Sequence, residues 1–384
     1  MSESGPIYLD YNATAPIKPA VVEAVAEAMM LAGNPSSVHG FGRDVRKRIE
    51  DAREQIAALV DCTPAELVFT AGGTEANNTA LRGAGRRALI VSAIEHPAIL
   101  RTAEAVAGEH VVLPVNGDGV VDMAALDAAL AVQGRQALVS IMLANNETGV
   151  IQPVAEIAAR AKAAGALVHC DAVQAPGRIP VSFAGLGVDM MSIAAHKFAG
   201  PKGIGALVVR TGLDIAPLVT GGGQERGLRG GTENAAGIVG FGTAAGLARD
   251  DLARAGEIAA LRDRMEARLR ETEPDVVIFS EGAERLPNTS CLTMPGVQSE
   301  TQVMGLDLAG VAVSAGSACS SGKVEPSHVL RALGTADAVG GCAIRVSMGW
   351  ATTEDEIERF LGAWRALYGG LTNRWKAGVS AAAG

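Results

Sequence analysis

The stretch SAGSACSSG, residues 314–322, sets Cys319 among serine, alanine and glycine, a composition that suits neither a packed core nor a regular helix. A lone thiol in such a loop is either incidental or a nucleophile whose reactivity follows its thiolate fraction. Other chemically capable groups stand directly after strand-like runs. In HCDAVQAPG, residues 169–177, Asp171 and Gln174 follow an apolar strand; the carboxylate either caps a helix or holds a proton on a heterocyclic nitrogen. In SIAAHKFAGPKGIGALVV, residues 192–209, His196 and Lys197 precede a glycine-rich turn. A lysine there is either a solvated charge or an enclosed amine of lowered pKa that can form a Schiff base, and Lys202 competes for that role. His96, in SAIEHPAIL, either caps the helix begun by Pro97 or lies flat as a stacking imidazole. Arg345 interrupts the strand AIRVSMG, where an inward guanidinium needs an anion such as a carboxylate and an outward one makes a rim ion pair. Finally, FTAGGTEANNTAL, residues 69–81, runs from a strand through paired glycines into a helix beginning near Thr74. It is either a capped tight turn or an anion site at an electropositive helix end.

The elements that hold these groups are legible in the same pattern. From about residue 65 to 210, the runs LVFT, ALIVS, HVVLPV, ALVSIML, ALVHC, MMSIA and GALVVR alternate with alanine-rich helical stretches. That alternation predicts a mostly parallel sheet covered by helices on both faces. Residues 232–274 read as long helical material leaving this unit. Strand-like VVIF, TSCLTM, VAVSA and AIRVSMG then mix with helical TQVMGLDLA, PSHVLRAL and TEDEIERFLGAWRALYGG, predicting a smaller α+β unit, and the tail KAGVSAAAG reads as frayed.

Composition narrows the function classes. The 384 residues carry 48% hydrophobic and 20% charged side chains and a net charge of −9. That balance describes a globular protein and argues against direct binding of a nucleic-acid backbone. No apolar run reaches the roughly 18 residues of a membrane span, and the polar start MSESGPIYLDYN lacks the order of a secretory signal, so the expected location is the cytoplasm. Five cysteines without a CxxC pair spell neither a disulfide framework nor a zinc site, and no metal is expected.

Taken together, the strand ends offer a phosphate cradle, an acidic partner for a ring nitrogen, a Schiff-base lysine, a stacking ring and a carboxylate clamp. Those are the parts needed around pyridoxal phosphate. The sequence resembles the cysteine desulfurases of the NifS/IscS type, in the class V aminotransferase group of fold-type I pyridoxal phosphate enzymes. The motifs that carry the resemblance are YLDYNATAP, GNPSSVHGFGR, GGTEANN, EHPA, NNETGVIQP, HCDAVQ, AHKFAGPKGIGAL, GGGQERGLRGGTEN, GSACSSGKVEPSHVLRALG and IRVSMG, spread over nearly the whole chain.

The resemblance implies an α/β, fold-type I transferase with a large cofactor-binding domain at 15–255. It implies a small α+β domain formed by 1–14 and 256–384 that carries a cysteine loop at 314–326. It implies that Lys197 holds the cofactor, that Asp171 pairs with the ring nitrogen, that Gln174 reaches the phenolic oxygen and that His96 stacks on the ring. Gly73, Thr74 and His196 match phosphate-binding positions, and Thr232 matches one that reaches the other subunit of a homodimer. Asn146 and Arg345, with Asn34, match substrate-carboxylate contacts, Asn146 also counting among the cofactor contacts. Cys319 matches the nucleophile that takes sulfur from L-cysteine as a persulfide, leaving alanine. That sulfur would pass to an iron–sulfur scaffold, with Cys319 the residue that meets a cluster during transfer, and tRNA thiolation is a second outlet. One departure stands out, since Ala194 occupies a position where the family commonly has a phosphate-binding serine. Two other readings compete: selenocysteine lysis or transamination on the same cofactor, and a non-catalytic sulfur carrier.

Overall fold

The computed structural model describes residues 5–106, 108–316 and 327–382, with side chains through residue 371. Twelve strands occur among the described residues: β1 Ile7–Tyr8, β2 Leu67–Thr70, β3 Ala88–Ser92, β4 Glu109–Leu113, β5 Ala137–Met142, β6 Leu167–Asp171, β7 Met190–Ala194, β8 Gly205–Val209, β9 Thr289–Thr293, β10 Val311–Ala312, β11 Ser314–Ala315 and β12 Ala343–Ser347. β2 to β8 form one seven-stranded sheet in the order β2-β8-β7-β6-β5-β3-β4. Only β8 runs against its neighbours, pairing antiparallel with both β2 and β7. The expected mostly parallel sheet is therefore present, and each of its predicted strands falls within a residue or two of the apolar run that announced it.

Those strands read as unbroken apolar runs because both faces are covered. Leu67 and Phe69, Ile90, Val139 and Val168 pack into one cluster with the helices Gly40–Val60, Val154–Ala163 and Ala235–Asp251. Val68, Leu89, Val91, Leu138 and Leu167 pack into another with Ala76, Ala80, Ile99 and Ala103 from the helices Gly73–Gly83 and Pro97–Ala105. The alternation follows from the two-residue period of a strand. Helix starts obey local chemistry: Asp122 Oδ1 accepts from the backbone of Ala124 and Ala125, Asn234 Oδ1 from Gly237, and Pro97 opens its helix at the first position.

A third cluster joins Ile7 and Leu9 to Ile258, Met265, Leu292, Ile344, Val346, Phe360 and Trp364. Here β11-β12-β9 is antiparallel and β1 pairs parallel with β10, so the N-terminus lies against elements from the C-terminal third. Three readings from sequence need correction. VVIF forms no strand and contributes one bridge, Ile278 to Leu292. VAVSA divides at Val313, because β10 pairs with β1 while β11 turns to β12. Of the tail expected to fray, residues 376–382 continue the helix Glu354–Ala382, a stretch without proline whose alanines favour helix, and the last two residues lie outside the described ones. No helix among the described residues is long and apolar enough to cross a membrane.

Candidate active site

The carboxyl-terminal ends of β5, β6 and β7 meet in register, with Met142 beside Asp171 and Asp171 beside Ser192. Ligand sites of open α/β sheets form at this edge. A cavity of about 1040 Å³ opens there and collects Gly73, Thr74, His96, Asn146, Asp171, Gln174, Ala194, His196, Lys197 and Arg345 in its wall. Side chains from six separated sequence motifs thus share one space.

Lys197 lies in the short turn Ala195–Phe198 after β7, and Ala199 adopts a left-handed φ of 64° to reverse the chain. Its Nζ donates to the carbonyl oxygens of Asn12 at 2.5 Å and Ala13 at 2.9 Å. Burial, then the positive charges of Arg178 and Arg345, push its pKa down to about 7, with Asp171 and Asp10 opposing. A good share of this amine is neutral at physiological pH, as a nucleophilic lysine requires. Lys202 is exposed and takes no part in the cavity wall.

Asp171 is buried at the end of β6, its Oδ2 accepting from Asn77 Nδ2 at 2.7 Å and its Oδ1 from the backbone of Val173 at 3.0 Å. It therefore braces the turn and also faces the cavity, so the two readings of this residue are compatible. His96 does likewise. Its Nδ1 accepts from the backbone of Ala98 at 3.1 Å, capping the helix, which leaves the proton of the neutral ring on Nε2. Burial, with Lys197 and His328, holds its pKa below 6.5 against the pull of Asp171. His196 is held neutral more strongly, its pKa pushed to about 4 by burial and by Lys197, Lys202 and Arg178.

The helix Gly73–Gly83 starts without a side-chain cap on its first turn. A Cβ at Gly73 would stand 2.7 Å from Val173 Cγ2 and 3.6 Å from Ala194 Cβ, so glycine is what lets this turn close against the sheet edge. Arg345 is buried, not on the rim. Its guanidinium donates to Asp10 Oδ1 at 2.7 Å and to the carbonyl of Asn146 at 2.9 Å, while Nε has no partner among the described residues.

Asn34 is not among the residues lining this cavity, and Thr232, expected at the site of a second subunit, does not line it either. Asn34 closes its own turn, accepting from the backbone of Ser36 at 2.8 Å, and Thr232 is exposed on a separate loop. Cys319 lies outside the described residues, but Gly316 and Ser327, on either side of its segment, both line the cavity. Sequence reasoning missed several participants. Asn12 supplies the carbonyl that holds Lys197, and Asn77 holds Asp171. Glu95 is a buried acid whose pKa burial raises to about 8, with Oε1 accepting from Ser92 Oγ and the backbone of Met142. Each sits inside a motif quoted above, yet its polar type alone assigns no role.

The model of the class-V aminotransferases matches residues 7–360. The chain belongs to that family. Among class-V proteins it is 44% identical over 366 residues to the cysteine desulfurase of Cereibacter sphaeroides, the match covering 92% of this chain and 94% of that one. It is 43% identical over 364 residues to the cysteine desulfurase IscS of Dictyoglomus turgidum, covering 91% of each. Its backbone matches the NifS-like protein of Rickettsia africae with a TM-score of 0.88 at 37% identity, covering 94% of this chain and 99% of that one.

Proposed function

We propose that the protein is a pyridoxal 5′-phosphate-dependent L-cysteine desulfurase in which Cys319 receives the sulfur as a persulfide and L-alanine is released. The observation that carries this reading is that both residues flanking the Cys319 segment line the same cavity as Lys197 and Asp171. A family aminotransferase needs the lysine and the acid; only sulfur transfer needs a thiol brought to them.

The residues present fit the cofactor. An uncapped helix start with Thr74 and neutral His196 beside it suits a phosphate, and Asp171 suits a protonated ring nitrogen. The partly neutral Lys197 suits an aldehyde carbon, His96 would lie on the ring and Gln174 would donate to the ring oxygen. Thr232 would complete the phosphate site of a second copy in a homodimer. Ala194 offers no hydroxyl, so the phosphate rests on the other donors. When bound, the cofactor supplies an electron-withdrawing ring that stabilises negative charge at the substrate Cα.

The chain's own groups then divide the work. Arg345 and Asn146 hold the substrate carboxylate, Lys197 takes the Cα proton, and His96 Nε2 can hold or return a proton beside it. The Cys319 thiolate attacks the substrate sulfur: the C–S bond breaks, an S–S bond forms, and the substrate Cβ gains a proton to become alanine. No external oxidant or reductant is consumed. The persulfide then passes to an acceptor thiol, such as that of an iron–sulfur scaffold, in the cytoplasm. The separate apolar clusters support a division into domains at 15–255 and at 1–14 with 256–384.

Purified protein loaded with pyridoxal phosphate should release alanine and, with a thiol reductant, sulfide from L-cysteine. Cys319→Ser should keep the visible absorbance of the cofactor and its perturbation by L-cysteine, yet carry no persulfide. Sulfide release by Cys319→Ser at the parent rate would remove Cys319 from the reaction.

A further inference from the structure

Arg178 is buried, borders a second, smaller cavity that Lys197 also borders, and makes contacts unusual for a buried cation. Its Nη1 donates to the backbone oxygen of Gln174 at 2.9 Å and to Gln174 Oε1, and its Nη2 to the carbonyls of Tyr11 at 3.1 Å and Lys197 at 3.3 Å. Every one of these acceptors is a neutral amide oxygen. Buried guanidinium groups are ordinarily matched by a carboxylate, because an unpaired charge is costly in a low-dielectric interior. A residue kept in this state at a binding site invites a functional explanation.

We propose that Arg178 is a positioning residue, resting on the cofactor reading above, that sets which end of the Gln174 amide meets the cavity and places a permanent positive charge against the backbone of Lys197. A guanidinium only donates, so the Gln174 atom that touches it has to be the oxygen. Nε2 is thereby turned the other way, where it donates to the carbonyl of Asn12 at 3.0 Å. The polarity of an amide that X-ray density rarely decides is decided here by chemistry. Gln174 therefore offers the cavity its remaining N–H, and it selects an acceptor oxygen on any ligand that meets it. Asn12's carbonyl also holds Lys197 Nζ, so Arg178, Gln174, Asn12 and Lys197 form one connected set.

The charge acts in the same place. The groups that bear on Lys197 are Arg178 and Arg345, which disfavour its protonation, and Asp171 and Asp10, which favour it. Arg345 is neutralised in part by Asp10, whereas Arg178 donates, among the described residues, to amide oxygens alone. Although burial lowers the Arg178 pKa to about 9, it stays charged at neutral pH. Among the described residues no carboxylate is bonded to it, and it lies against the lysine's own backbone.

The test separates the two effects by variant. In cofactor-free protein, the pH dependence of Lys197 labelling by acetic anhydride, read by mass spectrometry, reports its ionisation. R178M should raise that midpoint by one unit or more and slow capture of pyridoxal phosphate at pH 7 by tenfold or more. R178K keeps both the charge and a donor-only group against Gln174, so its midpoint should stay within half a unit and its cofactor release near the parent's, whereas R178M, which donates nothing, should release cofactor at least fivefold faster. A midpoint unchanged in R178M overturns the charge role, and cofactor release unchanged in R178M overturns the amide role. If R178M fails to fold, R178K with Q174E carries the test: an acidic group against Arg178 should raise the Lys197 midpoint, and an unmoved midpoint overturns the charge role. A parent protein that captures no pyridoxal phosphate sinks the proposed function itself, whereas normal capture with unaltered variants sinks only the role of Arg178.

Discussion

Single residues here do two jobs at once, because a side chain that caps or braces a turn with one atom also lines the cavity. His96 gives one ring nitrogen to a helix start while lining the cavity; Asp171 braces Val173 with one oxygen and meets Asn77 with the other. Arg345 is the sharpest case. It is already paired with Asp10, so an incoming carboxylate meets a guanidinium held rigidly in place, with Nε and the cavity edge free among the described residues. Charge-assisted hydrogen bonds are worth about 1.5–3 kcal/mol, so Arg345→Ala should raise KM for L-cysteine by roughly 10- to 100-fold. Its cofactor absorbance should stay intact, because the proposed phosphate and ring contacts do not include Arg345. Steady-state kinetics with an absorbance spectrum of the same sample checks both, and loss of absorbance with unchanged KM would contradict the assignment.

At the scale of elements, the site is built where β5, β6 and β7 stop and a helix begins. Gly73 opens that helix, and the turn approaches Val173 so closely that a Cβ would fall 2.7 Å from Val173 Cγ2. Gly73→Ala should therefore shift either the turn or Val173 and weaken pyridoxal phosphate binding by about tenfold, the effect of disturbing one charge-assisted contact. The double variant Gly73→Ala, Val173→Ala removes the clashing methyl and should recover most of the affinity. Equilibrium titration followed by absorbance reads this directly, and a double variant no better than the single one would show that the clash is not the cause. A second meeting of elements lies at Glu147, a buried acid pushed up to about 7 by burial. Its Oε2 accepts from Ser327 Oγ at 2.6 Å and stands 2.9 Å from where a Gly316 Cβ would lie. One carboxyl group therefore touches the residues on both sides of the Cys319 segment.

For the whole molecule, the buried titratable groups make stability depend on pH in opposite directions. His169 is enclosed between Ser140 and Ser192, and burial holds its pKa at about 3. Between about 3 and 6.5 the unfolded chain binds a proton that the folded chain refuses, so stability falls as pH falls through that window. Glu95 works in reverse, because its folded pKa of about 8 lies above the 4.5 of an ordinary glutamate. The folded chain holds that proton more tightly, so this contribution is present at low pH and lost as pH rises toward 8. Glu95→Gln mimics the neutral acid and should remove up to about 1.4 kcal/mol per pH unit of decline on the alkaline side. Urea unfolding of the cofactor-loaded protein from pH 5 to 8.5 tests it; an unchanged alkaline slope would mean Glu95 ionises normally.

The amino-acid order alone determined the seven-stranded sheet, the strand ends that carry Asp171, His196 and Lys197, and the glycine turn at Gly73. These are local properties, because apolar runs, caps and turn residues act over a few positions. Family resemblance added roles, among them a substrate contact for Asn34, which is not among the described residues lining the cavity. What tertiary structure decided is long-range. Arg345 meets Asp10 across 335 residues of chain, Lys197 is held by carbonyls 184 and 185 residues away, and Arg178 reaches Tyr11 across 167. No periodicity encodes such pairings. The lysine's lowered pKa depends on burial and on charges brought together only when the N-terminal segment closes over the sheet edge, so it becomes readable only in the folded molecule.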